Sequence, residues 1–243
     1  MSMRIVICDN VDAWVQAVAD RFQEELSQKP DLITILSTGS TPEPVYDELV
    51  KRYQEGKLSL QDMRAYNLDE YVGINPDDPN SYRYYMEHRL FSKVDIAAEN
   101  CHIPSGSAAD PEEECAKYEA LLQGEGYADF ALLGVGHNGH IGFNEPGTSF
   151  DSKTHVVELT QSTIDANKQY FSSEEEMPKK ALTMGLSTIV QSKRILVVAR
   201  GTGKAEIIKQ ITAGAVSEEV PGTILQRHAD VTVMVDQEAG ALL

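Results

Sequence analysis

The stretch "DFALLGVG", residues 129–136, is almost wholly apolar and runs straight into the glycine-rich "HNGHIGFNEPG" (137–147). A strand with one face in water alternates apolar and polar residues, whereas an unbroken apolar run fits a strand covered on both faces of a parallel sheet. "RILVVARG" (194–201) has the same character. Outward from these two, "MRIVICD" (3–9), "DLITILS" (31–37), "MRAYNLD" (63–69) and "ADVTVMVD" (229–236) carry further strand signals. Helical segments alternate with them. In "VDAWVQAVADRFQEELSQ" (11–28), Val11, Trp14, Val15, Val18, Phe22 and Leu26 recur at helical spacing. "TPEPVYDELVKRYQEG" (41–56), with Pro near its start and Gly at its end, "SYRYYMEHRLF" (81–91), "PEEECAKYEALLQGEG" (111–126) and "GKAEIIKQITAG" (203–214) complete the set. The alternation predicts an α/β fold: a Rossmann-like, mostly parallel open sheet with helices on both faces.

No repeat or linker interrupts the pattern, so residues 1–243 are expected to form a single domain. Residues 150–182 fit it least. They include the polar, Pro-bearing "FSSEEEMPKK" (171–180), which suits either a solvated surface excursion or a lid over a site.

The chain has 21 Lys and Arg against 38 Asp and Glu, a net charge of −17, which opposes a nucleic-acid partner. An anionic small molecule would have to be recruited locally, by a few cations and by helix N-termini. Cys8, Cys101 and Cys115 form no C-x-x-C pair and no disulfide framework, which suits a reducing compartment. "MSMRIVICDN" at the N-terminus reads as a strand rather than a signal peptide. No apolar run approaches the ~18–20 residues of a membrane helix. A cytoplasmic protein with no membrane partner is expected.

Ligands of open α/β sheets bind beyond the carboxyl ends of the strands, and three loops there carry unusual chemistry. In "STGSTPEPVY" (37–46), Gly39 permits close backbone approach, and Ser40 and Thr41 offer hydroxyls beside free N–H groups at a helix start. That suits a phosphate, or plain N-capping. "NLDEYVG" (67–73) places Asp69 and Glu70 at a strand end, as a general base in a cleft or as turn residues. In "GVGHNGHIGFNEPG" (134–147), His140 lies near Asn138 and Glu145, a set suited to proton transfer; His137, His140 and Glu145 as metal ligands, or a structural loop, are the other readings.

Together these loops resemble those of the glucosamine-6-phosphate deaminase family. The likeness runs through "MRIVI", "STGSTP", "NLDEYVG", "GVGHNGHIGFNEPG", "ALTMG" and "GTGKAE", across nearly the whole chain. Sugar-phosphate lactonases of the same superfamily share the G-x-G-x-x-G-H loop but not the F-N-E-P that follows. The resemblance implies aldose–ketose isomerisation and deamination of glucosamine 6-phosphate with water to fructose 6-phosphate and ammonium, in amino-sugar catabolism, with no metal and no redox cofactor. It further implies Asp69 as the base that moves a proton between C2 and C1. His140 would open the ring, oriented and tuned by Asn138 and Glu145. Thr38, Gly39, Ser40 and Thr41 would hold the phosphate, and Lys204 would neutralise it.

Three departures from the family pattern bear on these roles. Many members carry Asp where this chain has Asn138, which leaves Glu145 as the expected sole anionic partner of His140. An Arg often found in the "AN-x-x-F" helix is absent from "ANKQYF" (166–171), where Lys168 and Gln169 stand. "DSKTHVVEL" (151–159) has His155 and Val157 at positions where allosteric members are basic, and the chain ends at "QEAGALL". A monomer or small homo-oligomer without activation by an acetylated sugar phosphate is therefore expected. The competing readings are a 6-phosphogluconolactonase-like hydrolase and a non-catalytic sugar-phosphate sensor.

Overall fold

The computed structural model describes residues 3–167, 171 and 177–243. Seven strands form one sheet: β1 (Arg4–Cys8), β2 (Ile33–Leu36), β3 (Arg64–Asn67), β5 (Cys101–His102), β6 (Phe130–Gly134), β9 (Arg194–Ala199) and β10 (Val231–Asp236). Their order is β1-β10-β9-β6-β2-β3-β5, and every pairing is parallel. The expected architecture is thus present, including the two-sided burial that the apolar runs require. Phe130, Leu132, Leu196, Val198 and Met234 face one side and pack with Trp14, Phe22 and Leu49 from helices α1 (Val11–Gln28) and α2 (Glu43–Gln54). Their sequence neighbours Ala131, Leu133, Ile195, Val197 and Val233 face the other side. There they meet Tyr118 and Leu122 of α4 (Pro111–Gly124) and Ile208 and Ile211 of α7 (Ala205–Ala213). The period-two alternation of a strand distributes one apolar run over two cores. Trp14, fully buried, keeps its indole N–H satisfied on the Met234 carbonyl at 2.9 Å.

The connections leave β2 toward β3 and β5 on one side, and leave β6 toward β9 and β10 on the other. Adjacent strands β2 and β6 therefore send their following loops apart. The crevice this opens at their carboxyl ends is where such sheets take ligands.

Two expectations need correction. The segment 63–69 is not one strand: β3 ends at Asn67, and Asp69–Tyr71 forms β4 in a second sheet. This sheet is antiparallel, with order β4-β8-β7, where β7 is His155–Glu158 and β8 is Lys180–Thr183. Leu68 turns the chain between the two sheets, and its carbonyl accepts the Met184 N–H at 2.7 Å. The solvated-excursion reading of 150–182 also fails over its described part. That part contains β7, α5 (Gln161–Asn167) and β8, and it buries Leu159, Ile164, Met177 and Ala181 against Tyr71, Ile74 and Phe143. Ser172, Ser173 and the acidic run after them lie outside the described residues. Helix α3 (Tyr82–Arg89) matches the expected segment 81–91, and α6 (Leu186–Ile189) is a single turn. Among the described residues no helix is long and apolar enough to cross a membrane.

Phe130 is fully buried at the start of β6 and meets Phe22 edge-on, with ring centroids 5.8 Å apart. Phe130→Ala is expected to cost about 3–5 kcal/mol in urea unfolding, because the cavity lies between sheet and helix and cannot collapse. A loss below about 1 kcal/mol would contradict this placement of the core.

Candidate active site

The loop after β6 folds back on itself: the Gly136 N–H donates to the His140 carbonyl at 2.9 Å, and the Gly139 N–H to the Gly136 carbonyl at 3.1 Å. This brings the imidazole of His140 against the backbone at Gly136. A Cβ there would lie 2.2–2.4 Å from three ring atoms, so only glycine admits the ring. His140 Nδ1 stands 3.3 Å from Glu145 Oε1, an ion-pair contact without the alignment of a full hydrogen bond. Asn138 Nδ2 donates to Glu145 Oε2 at 2.7 Å, and Thr163 Oγ1, from α5, donates to Glu145 Oε1 at 2.6 Å. Burial of Glu145 works against its charge, but the His140 contact and the hydrogen bonds from Thr163 and Asn138 prevail and hold its pKa down to about 2. Glu145 is therefore an anion aimed at one nitrogen of His140.

Asn138 is expected to orient the imidazole, and its contacts are more indirect. Its Oδ1 accepts the backbone N–H of His140 at 3.2 Å, and its amide holds Glu145. Thr163 acts on the same carboxylate and escapes sequence reading, since nothing local in "LTQSTIDAN" marks a partner eighteen residues back.

Asp69 is handled in the opposite way. It is buried in β4, and its Oδ1 has no hydrogen-bond partner among the described residues. Desolvation, with a smaller push from the neighbouring Glu70, raises its pKa to about 8. Glu70 takes up the nearby donors instead. Its carboxylate accepts from the N–H groups of Tyr71, Tyr82 and Arg83 at 2.9–3.0 Å and from Ser81 Oγ at 2.6 Å, which fastens the start of α3. Of the two carboxylates in "NLDEYVG", one is tied into the start of α3 and the other is left desolvated.

Gly142 joins the two halves. At φ +59°, a Cβ on it would sit 2.8 Å from Thr183 Oγ1 and 3.2 Å from Asp69 Oδ2, so the loop bearing His140 passes directly over Asp69. Thr183 pairs with Asp69 across β4 and β8 and accepts the Phe143 N–H at 3.1 Å, which pins the loop there.

The loop after β2 borders the same crevice. Pro42 is the N-cap of α2 and no side chain caps it, so the hydroxyls of Ser40 and Thr41 are not spent as the capping reading would have it. None of the N–H groups of Thr38, Gly39, Ser40 and Thr41 donates to an acceptor among the described residues. The Gly39 carbonyl is turned away onto Tyr85 Oη at 2.8 Å. A row of unpartnered N–H groups before a helix has the donors to receive an anion. Lys204 ends the short 3-10 turn before α7 and reaches back so that Nζ donates to the Val135 carbonyl at 2.7 Å; burial lowers its pKa to about 8. His137 faces this ammonium, whose charge, with burial and His140, depresses its own pKa. It stands beside Gly203, and among the described residues no group of three His, Cys, Asp or Glu side chains is placed to hold a metal. Lys168 and Gln169 lie outside the described residues.

The pKa of Asp69 makes a thermodynamic prediction. A carboxyl titrating at 3.8 unfolded and about 8 folded favours the fold most below pH 3.8 and loses that advantage as pH rises to about 8. The stability of Asp69→Asn relative to wild type, from urea unfolding, is expected to climb across this window and level off above it. A difference independent of pH would show that Asp69 is not desolvated.

Residues 9–234 match the family described as glucosamine-6-phosphate isomerases/6-phosphogluconolactonase. The glucosamine-6-phosphate deaminase of Thermoanaerobacter pseudethanolicus is 45% identical over 241 residues, covering 99% of this chain and 95% of the relative. A solved structure described as a monomeric glucosamine-6-phosphate deaminase is 46% identical, with a TM-score of 0.96 over 99% of this chain and 100% of that one. The 6-phosphogluconolactonase of Trypanosoma brucei, at 18% identity and a TM-score of 0.79, shares the fold. The geometry of the three loops and the match along almost the whole length agree, and the chain belongs to the glucosamine-6-phosphate isomerase/6-phosphogluconolactonase family.

Proposed function

We propose that the chain is a glucosamine-6-phosphate deaminase that converts glucosamine 6-phosphate and water to fructose 6-phosphate and ammonium. The observation that carries this reading is the juxtaposition, through Gly142, of a desolvated Asp69 with the His140–Glu145 pair. An aminosugar ring hides its carbonyl. His140, with Nδ1 facing Glu145, exchanges a proton between the C1 hydroxyl and the ring oxygen and opens the ring. Asp69 then removes the C2 proton, leaving an enolamine across C1 and C2, and returns a proton to C1. The product is an iminium at C2, to which water adds and from which ammonia leaves. No electrons leave the substrate, so proton transfer and water suffice, and we assign no redox cofactor or metal.

The N–H groups of Thr38, Gly39, Ser40 and Thr41, with Lys204, take the phosphate in this scheme. Asn138 and Thr163 position Glu145. Residues 150–182 serve as a lid within a single-domain enzyme: displacing α5 would take Thr163 from Glu145 and release the charge that tunes His140. The enzyme works in the cytoplasm as a monomer or small homo-oligomer. The monomeric relative supports the oligomeric part of that assignment, and a net charge of −17 disfavours a nucleic-acid partner. Lactone hydrolysis needs no base at C2 and would leave the desolvated Asp69 without a task, and a passive sensor would need neither carboxylate.

Purified protein given glucosamine 6-phosphate, with EDTA and no nucleotide, is expected to release ammonium and fructose 6-phosphate in equal amounts. Glu145→Gln is expected to lower kcat by roughly 10²-fold or more while still binding the sugar phosphate. Binding without ammonium release by the wild type would favour the sensor, and turnover of a phosphogluconolactone alone would favour the hydrolase.

A further inference from the structure

Arg200 follows β9 at the carboxyl end of the sheet. Strand β9 is not a neighbour of β2; β6 lies between them. Even so, Arg200 Nη2 donates to the Ser40 carbonyl at 2.9 Å, so the side chain crosses the end of β6 and reaches the loop after β2. It thus bridges the crevice between the two diverging halves of the sheet, four residues before Lys204.

Among the described residues six of the eight other arginines form ion pairs; Arg4 and Arg227 do not, and Arg227 lies over the Phe150 ring at 4.9 Å. Arg21, Arg52, Arg64, Arg83, Arg89 and Arg194 each pair with a carboxylate, as expected in a chain with so large an excess of acid. Among the described residues Arg200 pairs with none, and Ser40 takes one of its five guanidinium donors. The carboxylate of Glu238 comes near the following residue, 4.0 Å from where a Cβ on Gly201 would lie, yet forms no ion pair with Arg200. Asp236 is engaged elsewhere, accepting the Gly201 N–H at 3.0–3.1 Å and the Ala239 N–H at 2.8 Å. That anchor fixes the backbone just beyond Arg200. With the carbonyls of Gly39 and Ser40 held by Tyr85 and Arg200, the N–H groups of the loop are left for an anion, and a guanidinium with spare donors stands beside them.

We propose that Arg200 is a phosphate ligand of the sugar-phosphate site, acting beside Lys204 and the loop after β2. A planar guanidinium can hold Ser40 with one nitrogen and phosphate oxygens with the others, which an ammonium cannot do as well. The inference rests on the sugar-phosphate reading above.

The test uses Arg200→Gln, Arg200→Ala and Lys204→Gln, each checked for wild-type circular dichroism and melting temperature, with inorganic phosphate as the probe. Phosphate is titrated as a competitive inhibitor of glucosamine 6-phosphate turnover and, independently, by calorimetry. Gln at position 200 keeps a donor for the Ser40 carbonyl but removes the charge. The proposal expects both Arg200 variants to weaken phosphate and to raise KM by roughly 10- to 100-fold, the range of a lost charge-assisted hydrogen bond, with kcat reduced far less. Wild-type phosphate affinity in Arg200→Gln, with loss only in Arg200→Ala, would make Arg200 a loop clamp and overturn the proposal. If Lys204→Gln weakens phosphate while neither Arg200 variant does, the inference fails and the phosphate site stands. If no variant changes phosphate binding, the site itself is misplaced and the inference falls with it.

Discussion

A carboxylate buried without donors becomes a base near neutral pH, and a carboxylate buried among donors keeps its charge. The site depends on having one of each. Asp69 and Glu145 are both nearly inaccessible to water, at 5% and 6% exposure, so burial alone does not distinguish them. Hydrogen-bonding groups do: Thr163, Asn138 and His140 converge on Glu145, while Asp69 Oδ1 has no partner among the described residues. Opposed pKa shifts within one crevice are the physical mark of a division between a proton acceptor and a fixed charge.

The sheet makes this arrangement possible by sending the loops after β2 and β6 in opposite directions. It cannot supply Asp69 by itself. The second, antiparallel sheet lifts β4 out of the line of β3 and sets it against β8, so that Asp69 lies under Gly142 with Thr183 beside it. The same sheet carries α5, hence Thr163, onto Glu145 Oε1, the oxygen that faces His140. One small element therefore holds Asp69 in place and also restrains the carboxylate that faces His140.

The large sheet is legible in the sequence because two-sided burial writes itself into continuous apolar runs such as 130–134 and 194–199, whatever the strands pair with. The small sheet is not. "HVVE" and "KALT" are short and carry no alternation of their own, and their pairing is decided by contacts far along the chain. β5, two residues long, is invisible for the same reason. At the site, glycine spacing and the set His140, Asn138, Glu145 can be read locally, since they lie within one loop. What sequence cannot separate is Asp69 from Glu70: the two are adjacent and chemically alike, and only the donors at the start of α3 show which one is tied into the structure. Likewise the capping reading of "STGSTP" falls only once Pro42 is seen to be the N-cap of α2 with no side chain capping it.

The central claim is that Asp69 carries the proton between C2 and C1. The most direct measurement is the fate of deuterium placed at C2 of glucosamine 6-phosphate, followed by NMR in wild type and Asp69→Asn, with substrate binding confirmed for both. The account predicts that wild type removes the label from C2, transferring it to C1 or losing it to solvent, and that Asp69→Asn binds the sugar phosphate but leaves the label at C2. Removal of the C2 label by Asp69→Asn at the wild-type rate would contradict it.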